Sequence, residues 1–393
     1  MTRKRTITGW FTVTALVLVA LPGLVGAVCE TSVGKFVSIT GSVDVQSTGG
    51  NAWSTAQLET RLCEGDTIRV GERSRAAVSL INNAVLRIDQ NTAMRLIDIT
   101  PQDEEQSILD VFTGAFQSFS RKPKFLRVNT PYLNGSVEGT EFVFRVEDEE
   151  ATITVLEGVV LASNNQGELR VEPGESAQAA KGQAPQKRVV VKPRDLVQWG
   201  LYYPPVMSVA TPGDVSPAIQ NAATLLSLGR VDEARAEIDA ALQKDAKSGA
   251  AYALRAVIAV ALNDNETALS DARRAVELSP GSASAKIALS YAQQANLELA
   301  AARDTLLQAV DQEPENALAW ARLAELHLML GNRREASAAA ERAVALEPGL
   351  SRTQNVLGFA ALAEIRAAQA QVAFEQAIAL DSDDPMPRLG LGL

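Results

Sequence analysis

The stretch NTPYLNGSVEGTEFVFRV, residues 129–146, decides how the first half of this 393-residue chain folds. Pro131 fixes the entry into a short strand, and Gly135 and Gly139 permit sharp backbone geometry after it. The side chains that follow alternate between two faces, which is the period of a half-buried β-strand. One face carries Phe142, Phe144 and Val146. The stretch therefore predicts the turn-rich centre of a β-domain, with its phenylalanines in the core.

The same stretch also permits a catalytic interpretation. Glu138 and Glu141 lie on either side of Thr140 at the bend, and two neighbouring carboxylates can serve as a general acid and a general base. Carboxylates beside a turn are common, however, and most of them are simply solvated. The structural interpretation is therefore favoured, and the enzyme remains the alternative.

Length, composition and charge indicate a multidomain protein. A chain of 393 residues exceeds the usual size of one domain. Val, Thr and Gly prevail early, whereas Ala, Leu, Glu and Arg prevail late, so an all-β first half and an all-α second half are expected. The formal net charge of −10 argues against nucleic acid as a partner.

The N-terminus has the pattern of a secretory signal peptide over residues 1–27. Basic residues precede an apolar run at 10–21, and small residues at 25–27 offer a cleavage site. An uncleaved anchor helix is the alternative, and it would be the only part of the chain to contact a membrane. The pattern predicts an exported protein, in the periplasm or elsewhere in a bacterial envelope.

Cys29 and Cys63 are the only cysteines, and both lie early in the exported part. Because export places the chain in an oxidising compartment, we expect one disulfide between them. Two unpaired buried thiols are the alternative.

Short alternating segments recur from residue 34 to about 191, separated by glycines and by Asn- and Asp-rich pairs. Segments of this length and spacing predict a sandwich, a roll or a short β-helix. VEDEEATITVLEGVV within them reads as a hairpin with an acidic turn.

The order of GSVDV, EGDTIRVGERSRAAVSL, VNTPYLNGSVEGTEFVFRV and TVLEGVVLASN resembles the FecR domain over about residues 34–182. FecR domains are the periplasmic domains of iron-uptake signal transducers. The resemblance implies a FecR-like β-domain over 28–195. It also implies structural roles for the motif residues, which are Pro131, Gly135, Gly139, Thr140, Phe142 and Gly158.

The resemblance to FecR transducers raises the question of whether this chain controls a sigma factor. FecR transducers carry a cytoplasmic segment that controls a sigma factor. Here only about nine residues precede the apolar run, so direct control of a sigma factor is not expected.

Residues 196–214 form a linker rich in aromatic residues and proline. Trp199, Tyr202 and Tyr203 cluster before Pro204 and Pro205, which stop regular structure. The favoured interpretation is a packed joint between two domains. An exposed aromatic platform for a glycan or a peptide is the alternative.

Alanines recur every 34 residues in the second half, and prolines at 280, 314 and 348 follow the same interval. This period resembles the tetratricopeptide repeat, in which two antiparallel helices pack closely at small residues. We expect a solenoid over 215–384. Its five repeats are 215–248, 249–282, 283–316, 317–350 and 351–384, and 385–393 reads as a truncated sixth repeat. That tail favours a fragment of a longer protein.

Arrays of this family bind peptides or helices in the groove lined by the first helix of each repeat. The groove positions predicted here are Tyr291, Gln294, Glu325, Arg352, Asn355 and Phe359. Ordinary helix-surface residues are the alternative interpretation.

The residue inventory disfavours catalysis. His327 is the only histidine, and it falls on a packing position of the fourth repeat. Neither a His-based metal site nor a Ser-His-Asp triad is expected, and no nucleotide-binding motif occurs. We therefore expect no enzyme, no cofactor and no metal, but a scaffold that binds a protein partner in the envelope. A periplasmic sensor related to FecR regulators is the alternative, and an envelope hydrolase is the weakest.

Overall fold

The computed structural model describes residues 32–101, 106–189, 198–207 and 215–393. The predicted signal peptide, residues 1–27, and Cys29 lie outside these ranges. None of the helices within them combines the length and apolarity that a membrane crossing requires.

The first described region is built from β-strands that pair antiparallel. The strands are β1 Ser32–Thr40, β2 Val43–Gln46, β3 Trp53–Thr55, β4 Arg61–Cys63, β5 Thr67–Val70, β6 Arg75–Leu80, β7 Val85–Ile88, β8 Thr92–Asp98, β9 Ser107–Asn129, β10 Asn134–Glu147, β11 Glu150–Asn164, β12 Gly167–Val171, β13 Glu175–Ala180 and β14 Gln186–Val189.

The long strand β9 joins two branches of this sheet. One branch runs β14-β13-β11-β10-β9-β7-β6-β1-β4, and the other runs from β9 through β8, β5 and β2 to β3. Apolar residues of both branches share one core, for example Phe36 and Val78 from one and Ile68 and Met94 from the other. The sheet is therefore folded over on itself. Its antiparallel pairing distinguishes it from a parallel β-helix.

The opening stretch lies at the centre of this core, as the alternation predicts. Phe142 and Phe144 are buried on β10, and both rings pack against Phe116 of β9, at centroid distances of 6.3 and 5.6 Å. Aromatic pairs at such distances add to the stability that burial alone provides.

The second described region is all-helical. The helices are α1 Pro217–Ser227, α2 Val231–Lys244, α3 Gly249–Ala261, α4 Asn265–Leu278, α5 Ala283–Ala295, α6 Leu299–Gln312, α7 Ala317–Met329, α8 Arg333–Leu346, α9 Ser351–Ala363, α10 Ala367–Leu380 and α11 Met386–Leu391. From α2 to α10, first helices and second helices each begin at intervals of 34 residues. This is the antiparallel helix pairing of a tetratricopeptide solenoid.

Small residues explain why these helices pair closely, and polar capping residues explain where several of them begin. Alanines at the repeated positions are buried where the paired helices meet, since a methyl group lets two backbones approach closely; they are Ala234, Ala268, Ala302, Ala336 and Ala370. Several first helices are N-capped by a side chain just before the repeat boundary. Ser248, Ser282 and Asn316 each accept a hydrogen bond from the backbone N–H three residues later.

The turn inside each repeat requires a left-handed backbone. Residues 34 apart have positive φ there: Gly229, Asn263, Leu297, Gly331 and Ile365. Glycine and asparagine tolerate this conformation, whereas a β-branched side chain is disfavoured in it. Ile365 is also 88% exposed, so its side chain gains little from burial.

We predict that Ile365→Gly stabilises the solenoid. The substitution relieves the left-handed penalty, and we expect the free energy of unfolding to rise by about 1 kcal/mol. Gly331→Ile is the matched control, because a Cβ at Gly331 meets no atom within 4 Å and the change is therefore purely conformational. It should lower the urea midpoint as Ile365→Gly raises it. Equal midpoints for all three proteins would contradict the prediction.

Candidate protein-interaction site

The three glycines of the FecR-like motif lie on β10 and β11 at positions that leave no room for a side chain. Gly139 lies opposite Gly158 of β11, where the register shifts. Gly158 has a φ of +103°, and a Cβ added there would lie 2.3 Å from the Cα of Gly139. A Cβ at Gly135 would lie 2.5 Å from the Phe144 ring. The glycines therefore allow two strands and an aromatic ring to approach more closely than any side chain would permit.

The remaining motif residues have mixed environments. Phe142 is in the core, whereas Pro131 is exposed at the strand entry. The Oγ1 of Thr140 is buried and has no hydrogen-bond partner among the described residues.

The two glutamates of the catalytic interpretation, Glu138 and Glu141, have different surroundings. Glu138 is exposed, and Glu141 accepts a hydrogen bond of 2.6 Å from the amide of Gln117 on β9. Among the described residues, no group of three or more His, Cys, Asp or Glu side chains is arranged to hold a metal.

Four of the six predicted groove residues meet in one largely buried network between the first helices α5, α7 and α9. We call the face of the solenoid that the first helices line its inner face. Arg352 donates to the Tyr291 hydroxyl at 3.0 Å and to the Glu325 carboxylate at 2.6 Å. Arg322 completes the network, since it donates to the other Glu325 oxygen at 2.8 Å and to the Gln294 amide oxygen. These side chains therefore contact one another through hydrogen bonds and ion pairs.

Arg322 is the member of this network that the sequence interpretation missed. Its guanidinium carbon lies 3.8 Å from the centroid of the Tyr291 ring, and its side chain also donates to Ser290. A cation held over a tyrosine face is attracted by the ring electrons. The available signal was its spacing, because Arg322 lies three residues before Glu325 on one helix face.

The other two predicted groove residues lie outside this network. Phe359 packs edge-on against Phe374 of α10, with ring centroids 4.9 Å apart. Asn355 is buried, and its Oδ1 has no hydrogen-bond partner within the described part of the chain.

Asp384 lies between α10 and α11, beside Arg352 of this network. It is fully buried after α10, and its Oδ2 lies 3.6 Å from a terminal nitrogen of Arg352. Burial raises the pKa of this carboxyl, and the positive charge of Arg352 opposes that rise. Burial likewise raises the pKa of the Tyr291 hydroxyl.

The aromatic linker residues are packed between the two domains, as a joint requires. Trp199 and Tyr203 are buried, and the Tyr203 hydroxyl donates to the carbonyl of Gln198 at 3.2 Å. Tyr203 belongs to the hydrophobic core of the solenoid together with Val206.

Arg75, at the start of β6, connects the β-domain to both ends of the solenoid. Its Nε lies 2.9 Å from the carboxylate of Asp383, which follows α10. The two side chains are only 12% and 8% exposed, so the ion pair is nearly withdrawn from water. The same guanidinium donates to the carbonyl of Ser227, at the end of α1, and to that of Trp199.

Further polar contacts extend this domain interface. Arg230, at the turn after α1, pairs with Asp89 of the β-domain at 2.9 Å. Burial raises the pKa of Asp89, and Arg230 opposes the rise. Arg388 of α11 donates to the Val37 carbonyl of β1, and Asp383 accepts from the hydroxyls of Ser38 and Thr40.

His327 has a packing position in α7. Its ring is buried, and its Nδ1 lies 3.3 Å from the side-chain nitrogen of Asn332. Burial lowers the pKa of this imidazole, while the charge of Glu335 opposes the shift. The position is that of a helix contact.

The predicted disulfide reaches into the undescribed N-terminus. No cysteine of the described residues is a free thiol, and Cys63 lies at the end of β4. Because Cys29 is outside the described ranges, its pairing with Cys63 stays a prediction.

Comparison with known proteins identifies a family for part of the β-domain. Residues 66–161 match the FecR protein family. None of the curated proteins matches the chain. Among solved structures, a thermophilic TPR protein of Thermus thermophilus is similar, with a TM-score of 0.40 and 22% identity over 45% of this chain and 98% of that one.

Two other solved structures resemble one part each. A putative anti-sigma factor from Parabacteroides distasonis has a TM-score of 0.31 and 19% identity over 36% of this chain and 68% of its own. YrrB, a TPR protein with an unusual peptide-binding site, has a TM-score of 0.31 and 19% identity over 46% of this chain and 93% of its own. Since these scores are low, the repeat assignment rests on the 34-residue helix pairing. The chain joins a FecR-like β-domain to a solenoid of tetratricopeptide repeats.

Proposed function

We propose that this protein is an exported, non-enzymatic adaptor of the bacterial envelope. A FecR-like domain and a tetratricopeptide array are domain types that serve protein interaction and signalling. The export pattern of residues 1–27 supports a periplasmic location for both domains. In this role the adaptor binds protein partners and needs no cofactor, metal or nucleic acid.

The observation that carries the proposal is the buried ion pair between Arg75 and Asp383. A pair withdrawn from water holds two elements in a defined geometry, since separating the charges leaves each one unpaired. The pair sets the solenoid in a defined position on the β-domain. Such an arrangement suits an adaptor that presents surfaces of two domains at a constant spacing.

Site-specific photo-cross-linking in a bacterial periplasm tests this function. One photoreactive residue replaces Gln186 on the edge strand β14, and another replaces Glu266 on α4; both positions are exposed. An adaptor should yield defined protein adducts from both positions. Deletion of residues 2–27 serves as the control, because the protein then stays in the cytoplasm and the adducts should disappear.

A sensor related to FecR regulators is the second candidate, and the match over residues 66–161 favours it. A sensor should yield adducts from Gln186 alone, together with a change in transcription when the gene is deleted. Adducts from neither position in the periplasm would reject both functions.

A further inference from the structure

Within the segment 198–207, residues 201–207 pack on the inner face of the chain's own solenoid. Tyr203 and Val206 are only 5% and 2% exposed, and both belong to the hydrophobic core of the helices. Leu201 and Met207 pack against the same core. The residues around this segment come from distant repeats, namely Leu226, Leu254, Val257 and Leu350. The segment therefore bridges residues from the first repeat to the end of the fourth across the inner face.

Tyr202 anchors the segment to the polar end of that face. Its hydroxyl lies close to the carboxylate of Asp384, and Arg352 and Tyr291 also act on it electrostatically. The residue as a whole is only partly buried, but its hydroxyl is withdrawn from water, which raises its pKa well above 10. Arg352 and Tyr291 of the predicted groove therefore already lie beside a tyrosine of the same chain.

The segment begins with one turn of 3₁₀-helix at 198–200 and then continues without regular structure. Residues 202–205 are in no helix or strand, and Pro204 and Pro205 restrict the backbone to extended conformations. Its backbone is held by a side chain of the β-domain, since Arg75 donates to the carbonyls of Trp199 and Leu201. Side chains anchored in pockets along an extended, proline-rich backbone are one general mode of peptide recognition.

The segment does not fill the site. A cavity of about 190 Å³ remains between Tyr203, Pro205 and the helices α1 and α3. Atoms that line such a space lack contacts on one side. A peptide with a larger apolar side chain at this point would gain contacts that the segment lacks.

We propose that the inner face of the solenoid is a binding site for extended peptides that carry a tyrosine followed by an aromatic residue and prolines, and that residues 198–207 are its resident intramolecular ligand. A partner binds by displacing this segment with a peptide of the same chemistry. The inference rests on the proposed adaptor function and assigns it a partner class. Because the segment is tethered, its effective concentration is in the millimolar range, so the resident ligand weakens external binding strongly.

The test uses the chain from residue 28 to residue 393 and a fluorescein-labelled peptide with the sequence of 198–207. The variant that carries Tyr202→Ala, Tyr203→Ala and Val206→Ser removes the resident anchors. Fluorescence anisotropy should show that this variant binds the peptide at least about tenfold more tightly than the parent chain. A peptide with phenylalanine in place of its first tyrosine should bind the variant more weakly, because it lacks the polar hydroxyl that would lie beside Asp384 and Arg352.

Equal binding by the parent chain and the variant, with an unchanged helical circular dichroism signal, would overturn the proposal. If the triple variant does not fold, Tyr202→Phe in the full chain replaces it, since it removes one hydroxyl only. That chain should bind the labelled peptide several-fold more tightly than the parent, and unchanged affinity would again overturn the proposal. If the anisotropy test fails while periplasmic cross-linking still yields adducts, only the peptide site is rejected. If the peptide binds as expected but cross-linking yields no adducts, the adaptor function is rejected.

Discussion

Gly158→Ala is expected to destabilise the β-domain by about 4 kcal/mol, which is enough to unfold many domains of this size. The new Cβ would lie 2.3 Å from the Cα of Gly139 and 2.7 Å from the carbonyl oxygen of Glu138. These are backbone atoms, so no side-chain rotation relieves the clash. The φ of +103° adds a conformational penalty to the overpacking. Native-state hydrogen exchange of the β10 and β11 amides would measure the loss.

Gly174→Ala is the matched control. Gly174 also has a positive φ, of +81°, but a Cβ there meets no atom within 4 Å. It should therefore cost only the left-handed penalty, about 1–2 kcal/mol. Similar losses for the two variants would show that Gly158 has no special role in the approach of the strands. The interpretation of the FecR-like bend as a packing device would then fail.

Arg75→Ala is expected to separate the two domains. The substitution leaves Asp383 buried without its cationic partner and frees the carbonyls of Ser227 and Trp199. Removing one member of a buried pair costs about 3–5 kcal/mol. Because these contacts lie between domains, the loss should appear as undocking rather than as unfolding of either domain. Small-angle X-ray scattering should record a larger radius of gyration at an unchanged circular dichroism spectrum.

Two variants give this prediction its controls. Arg170→Ala removes an exposed pair with Glu172, at 3.5 Å, and should leave the scattering unchanged, since exposed pairs contribute little. Arg75→Lys keeps the charge but cannot reach several acceptors at once, so it should fall between the parent chain and Arg75→Ala. A radius of gyration that is the same for Arg75→Ala and the parent chain would contradict the role of Arg75 in docking.

Local patterns were sufficient to predict the elements of both domains. The alternation through Phe142 and Phe144 placed them in the core, because a strand turns every second side chain to the same face. The 34-residue period placed the alanines of the helix pairs, because each repeat contacts only its neighbours. Groove positions such as Tyr291 and Arg352 followed from the same register, and the structure brings both into one network.

The sequence by itself determined that this protein is a β-domain followed by a helical repeat, since alternation, period and turn chemistry act over a few residues. Only the tertiary structure decided what lies on the inner face of the solenoid and how its far end meets the β-domain. Arg75 and Asp383 are 308 residues apart in the chain, and nothing near either residue marks the other as its partner. Tyr202 lies close to Asp384 although the two are also far apart in the chain. Such contacts depend on the accumulated curvature of five repeats, which local side-chain patterns do not encode.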